Sequence, residues 1–120
     1  MSAQPGKATA DTERRRRRYP RHRSSFQVVV TLFSGGAYQN LNAHCKDLSE
    51  AGIGILVAEE LTCGEVASLK FTLGESLQTW DVRAVLRHRR GYHYGFEFLS
   101  LTSQQIQILK QHLRGLERAD

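Results

Sequence analysis

The feature that most constrains this chain is a two-residue hydrophobic alternation that returns in segment after segment. In residues 65–73, Ala67, Leu69, Phe71 and Leu73 alternate with Ser68, Lys70 and Thr72. In residues 77–89, Trp80, Val82, Ala84 and Leu86 keep the same beat, and Asp81, Arg83 and Arg87 fall on the other side. Tyr92, Tyr94, Phe96 and Phe98 repeat it once more. Side chains of a strand point alternately to its two faces, so each segment reads as a half-buried β-strand. Residues 26–33 are dense in β-branched and aromatic side chains and form the first strand. Residues 38–46 form the second, and the largely apolar residues 53–58 the third. Turn chemistry separates the segments at Ser34-Gly35-Gly36, Asp47-Leu48-Ser49-Glu50-Ala51-Gly52, Gly74-Glu75-Ser76 and Arg90-Gly91, with a loop over residues 59–64.

Six short strands without crossover helices imply an antiparallel sheet. At 120 residues with 40% hydrophobic content there is material for one core. A small closed barrel is the expected solution, because closure removes exposed edges. The fold class is therefore all-β, an antiparallel six-stranded β-barrel. The period changes only at the end. Thr102-Ser103-Gln104-Gln105 has the form of a capping box, and Ile106, Leu109, Leu113 and Leu116 then recur at helical spacing. A C-terminal amphipathic helix should cover a mouth or a flank of the barrel.

Charge is distributed less evenly than apolarity. Residues 14–23, Arg-Arg-Arg-Arg-Arg-Tyr-Pro-Arg-His-Arg, hold seven of the 17 Lys and Arg residues and no acid, so the rest of the chain sets 10 basic residues against 12 acidic ones. The net charge of +5 thus resides in one arm, which points to a specific anionic partner. Pro20 fixes its own φ and holds Tyr19 away from the helical region, so the arm should enter the barrel extended. Residues 1–13 read as a disordered leader without the apolar stretch of an export signal, residues 14–118 as the domain, and the cytoplasm as the expected location. Cys45 and Cys63 match no zinc or redox spacing, and the five histidines are scattered, so no metal site is expected.

No nucleophile elbow, zinc-protease pair or phosphate loop is present, so the chain is not expected to be an enzyme. Binding is the better reading. An arginine fork matches two phosphate oxygens or the O6/N7 edge of guanine. Arg17 and Arg21 lie four residues apart, which on an extended segment places them on one side about 13 Å apart. A nearby aspartate would accept donors from the opposite guanine edge, and glycine would let the backbone approach a flat ligand.

These residues resemble the signature of PilZ domains. Arg17-Arg18-Tyr19-Pro20-Arg21 is similar to their RxxxR motif, and Asp47-Leu48-Ser49-Glu50-Ala51-Gly52 to their (D/N)xSxxG motif, one strand–turn–strand unit later. Gly95-Phe96-Glu97-Phe98 followed by a helix resembles the closing segment. The resemblance spans residues 14–116 and implies a six-stranded barrel that binds cyclic di-GMP. Arg17 and Arg21 would clamp phosphates and a guanine edge, Asp47 and Ser49 would contact a guanine, and Gly52 would permit the turn. Arg16 and Arg18 would add stacking or phosphate contacts, and Arg87 would be a further stacking group. The alternative pairing, three residues back, is Arg14 with Arg18, and the pair nearer the first strand is preferred. The resemblance further implies an arm that folds over the ligand and a downstream protein partner; no membrane insertion is expected, since no apolar run approaches the ~20 residues that span a bilayer. Two other readings compete: a small-barrel nucleic-acid module using Tyr92 or Tyr94 for stacking, and a partner-docking module that has lost the nucleotide.

Overall fold

The structure, a computed structural model, describes residues 19–74 and 79–119. Six strands and a helix follow in order: β1 (His22–Ser34), β2 (Ala37–Leu48), β3 (Gly52–Leu56), β4 (Val66–Thr72), β5 (Thr79–Arg90), β6 (His93–Phe98) and α1 (Ser103–Arg114). The strands close into an antiparallel barrel in the order β1-β2-β3-β6-β5-β4, with β1 pairing β4 to complete the ring. This is the all-β barrel that the alternation predicts.

The inward residues are those the period-two reading selects. Val28, Val30 and Leu32 from β1, Ala67, Leu69 and Phe71 from β4, and Trp80, Val82, Ala84 and Leu86 from β5 are all buried in one core. Tyr94 is fully buried, and its hydroxyl donates to the Glu59 carbonyl (2.9 Å) while accepting from the Leu61 amide (3.0 Å). A buried phenol requires such partners, and here they pin the loop after β3 across the barrel. Tyr92 departs from the expected stripe. It sits exposed at the β5–β6 turn, beside Gly91 at φ +62°.

At the helix, the capping box forms as the sequence indicates. The Gln105 amide donates to Thr102 Oγ1 (3.0 Å), and the Thr102 amide donates to Gln105 Oε1 (2.9 Å). Leu109 and Leu113 join the core, whereas Ile106 stays exposed. Among the described residues, no helix is long and apolar enough to cross a membrane.

One boundary differs in a consequential way. β1 begins at His22, four positions before the apolar run. The added residues are held from the other end of the chain. Arg23 N–H donates to the Glu117 carbonyl, and Ala119 N–H donates to the Arg21 carbonyl, both at 2.8 Å. The segment after α1 thus pairs with the end of the arginine arm and anchors Arg21 to the barrel.

Candidate functional site

The site is built where two strands lose their regularity. β2 carries a bulge between Cys45 and Asp47. In an unbroken strand these two residues would share a face, and Asp47 would follow the fully buried Cys45 inward. The extra residue turns Asp47 to the outer surface, opposite Gly54 of β3. Asp47 is therefore a strand residue, not the turn residue expected from sequence. β5 has the matching irregularity between Leu86 and His88. It breaks the alternation after Leu86, and His88 pairs with Gly95.

Pairing then sets one row across four strands: Asp47, Gly54, Gly95 and His88. The two middle positions are glycines. A Cβ on Gly54 would lie 2.7 Å from both Asp47 carboxylate oxygens, and one on Gly95 would strike the His88 imidazole. The missing side chains let the carboxylate and the imidazole lean over the strand backbone from either side. The result is a glycine-floored trough.

Arg21 reaches into this row from the arm. Its Nη1 donates to Asp47 Oδ1 at 2.9 Å, and its Nη2 lies 3.4 Å from His88 Nε2. The other Asp47 oxygen is 3.4 Å from His93 Nε2. Both members of the Arg21–Asp47 pair are mostly buried, at 24% and 16% side-chain exposure, so their attraction is screened less than that of a surface pair. A groove of about 340 Å³ opens beside them, lined among others by Arg21, Ser49, Gly52, Arg87, His88 and Gly95. Arg87 stands at its rim, with Nε 2.6 Å from Glu97 Oε1, and is more than half exposed. A second groove of about 670 Å³ is lined by Asp47 itself, with Arg23, Lys46 and His112. The first groove is the better candidate because Arg21, Ser49, Gly52 and Arg87 all converge on it.

Ser49 and Gly52 each have a structural role in the turn. Ser49 is buried, and its hydroxyl accepts from the amides of Ala51 and Gly52, both at 3.1 Å. Ser49 N–H also donates to the Gly52 carbonyl (2.9 Å), so the serine holds the turn together. Gly52 is not a positive-φ residue; among the described residues the positive-φ glycines are at 35, 36, 64, 74 and 91. Its constraint is steric, since a Cβ there would strike the Phe96 carbonyl oxygen of the neighbouring strand. Gly52 lets β3 and β6 approach.

Cys45 is fully buried beneath the row. Burial, with the Asp47 carboxylate adding to it, pushes its thiol up to about 12, so it stays protonated. No group of three His, Cys, Asp or Glu side chains that would hold a metal occurs among the described residues. Arg16, Arg17 and Arg18, and the alternative Arg14 register, lie outside the described residues. Sequence reasoning missed His88, His93, Gly54 and Gly95. Glycines inside strand patterns were a usable signal, because they mark a close approach. The histidines had none.

A family model described as the PilZ domain matches residues 15–115. Among solved structures, the PilZ domain of YcgR from Escherichia coli, solved with c-di-GMP, aligns with TM-score 0.67 at 20% identity, covering 84% of this chain and 91% of that one. The Bacillus subtilis inhibitor of motility, MotI/DgrA, aligns with TM-score 0.64 at 20% identity, over 82% of this chain and 50% of that one. The PilZ domain of CeSA from a cellulose-synthesizing bacterium gives TM-score 0.59 at 15% identity, over 79% and 95%. A comparison with curated protein sequences found no match.

Proposed function

The chain belongs to the PilZ domain family, and from that premise we propose that it is a receptor for cyclic di-GMP with no catalytic step. The observation that carries this reading is the 2.9 Å contact between Asp47 and Arg21, the latter lining the groove floored by Gly52 and Gly95. It brings together one residue from each of the two signature segments, which lie 26 positions apart in sequence. The YcgR domain, similar in fold, was solved with the same dinucleotide.

The roles follow from donor and acceptor chemistry. A guanidinium has five N–H donors in a rigid fork. One of those on Arg21 is committed to Asp47 and holds the fork at the groove lip. The remaining donors suit a phosphate or the O6/N7 edge of guanine. Asp47 offers acceptors for the N–H groups on the opposite guanine edge. Ser49 and Gly52 shape the turn and the strand approach beneath it. Arg17 would supply the second fork, with Arg16 and Arg18 on the same arm neutralising the second phosphate or stacking on a base. Arg87 at the rim would cover an exposed base face if it left Glu97. Binding would draw the arm over the groove and present that new surface to a protein partner. Neither cysteine is in a disulfide, and Cys63 is exposed, which suits a reducing compartment; a cytoplasmic site of action is part of the proposal.

Calorimetric titration of the full chain with cyclic di-GMP, set beside GTP and a short RNA, tests the reading. Binding of the dinucleotide alone, weakened in Arg21→Ala, is expected. A short RNA that binds more tightly, with the steep salt dependence of many phosphate contacts, would replace this reading with the nucleic-acid one. Absence of heat with every ligand would favour the partner-only module.

A further inference from the structure

The barrel closes at its middle but not at the tip of its longest hairpin. β2 pairs with β1 over its whole length, whereas β3 meets it only from His44 onward. Among the described residues, no strand pairs with residues 37–43 on the side away from β1. A strand with one free side presents a row of backbone N–H and C=O groups. Natural edges are usually blunted by Lys, Pro, a bulge or a short length. None of these is present here. Residues 37–43 are regular in register, and from Ser24 to Cys45 the sequence contains no Asp, Glu, Lys, Arg or Pro, although 24% of the chain is charged.

The tip also carries a knob. Phe33 and Tyr38 are paired across the hairpin with ring centroids 5.1 Å apart, and they are 63% and 76% exposed. Beside the free edge lies a notch of about 700 Å³, lined by Asn42, His44, Leu56 and Tyr92 among others. Leu56 and Tyr92 are themselves exposed apolar groups.

We propose that this edge is where two copies of the chain join, β2 against β2 in antiparallel order about a two-fold axis at Asn40. Such pairing is self-complementary, because residue 40+n meets residue 40−n of the other copy and side chains keep their faces. Asn40 meets Asn40, and Tyr38 meets Asn42, which places each copy's aromatic knob at the other's notch. The segment is uncharged, so no like charges are juxtaposed. The basic starts of β1 stay apart in this union. β1 runs 13 residues from His22 to the tip, about 40 Å at a strand's rise, and antiparallel pairing at the tips sends Arg21 and Arg23 of the two copies to opposite ends. That distance is several Debye lengths at physiological salt.

Sedimentation of the full chain over a concentration series tests this. A dimer is expected. Asn40→Lys, which sets two ammonium groups opposite each other across the axis, should weaken self-association by about tenfold or more. Tyr38→Ser, which removes the knob, should weaken it as well. Both variants should keep the parent melting temperature at low protein concentration, where the parent is monomeric. Hydrogen exchange should slow at the amides of residues 37–43 as concentration rises. A chain monomeric at every concentration, or a dimer unaffected by both substitutions, would overturn the proposal and leave the edge to a strand from another protein.

Discussion

The two ends of the β1–β2 hairpin are made from the same two strands and differ in almost every respect. At the base, β2 is bulged, an acid is turned outward, an arginine meets it at 2.9 Å and the neighbouring strands carry glycines where side chains would collide. At the tip, the register runs unbroken from Gln27↔His44 to Ser34↔Ala37, and no Asp, Glu, Lys or Arg occurs in it. The contrast shows what a small barrel must alter to make a ligand site. A regular strand on its surface offers a flat row of alternating groups. Two bulges and a glycine floor convert that row into a trough with charged walls.

This contrast can be broken at several points. The largest effect is expected at the base. Arg21→Ala should lower cyclic di-GMP affinity by about 1.5–3 kcal/mol, through loss of charge-assisted hydrogen bonds, with little change in fold. Calorimetry on a variant with an intact circular dichroism spectrum checks it, and unchanged affinity would remove Arg21 from the site. Next, Gly52→Ala should destabilise the barrel by about 1–3 kcal/mol, because the new Cβ meets the Phe96 carbonyl and β3 and β6 must part. Chemical denaturation measures that loss, and a neutral result would mean the two strands have slack. Phe33→Ala at the tip is the counterpart. Its ring is mostly exposed, so thermal stability measured at low protein concentration should move by no more than about 0.5 kcal/mol.

The smallest expected effect concerns acid. Burial lowers the pKa of His112, which faces the second groove, below its ordinary 6.5. The folded state then takes up a proton less readily than the unfolded one. Above that ordinary value both states are neutral and the residue has no bearing on stability; below it, stability should fall as pH drops. His112→Gln should flatten this slope slightly. Denaturant midpoints at pH 7.5 and 5.5 for the two proteins decide it, and parallel slopes would acquit His112.

The barrel was legible because alternation is a local property repeated many times. Trp80, Val82, Ala84 and Leu86 face inward wherever the strand is placed, and the capping box at Thr102 closes within one helical turn. The site was only partly legible. The arginine arm and the Asp47–Gly52 segment stand out by residue type, but their geometry does not. A bulge is one inserted residue, and nothing in Cys45-Lys46-Asp47 announces that the alternation breaks there. His88 reads as one more polar residue on a long strand until Gly95 is set opposite it.

The amino-acid order on its own therefore settled the strand count, the inward faces apart from Tyr92, the helix start and the concentration of positive charge, since each depends on residues near one another in the chain. Tertiary structure decided that Asp47 faces outward, that Arg21 touches it, that Gly52 serves strand approach instead of a left-handed turn, and that residues after α1 pin the arm. Each of these joins elements distant in sequence. The deciding quantity is where two backbones come within a side chain's width of each other, which only the closed barrel defines.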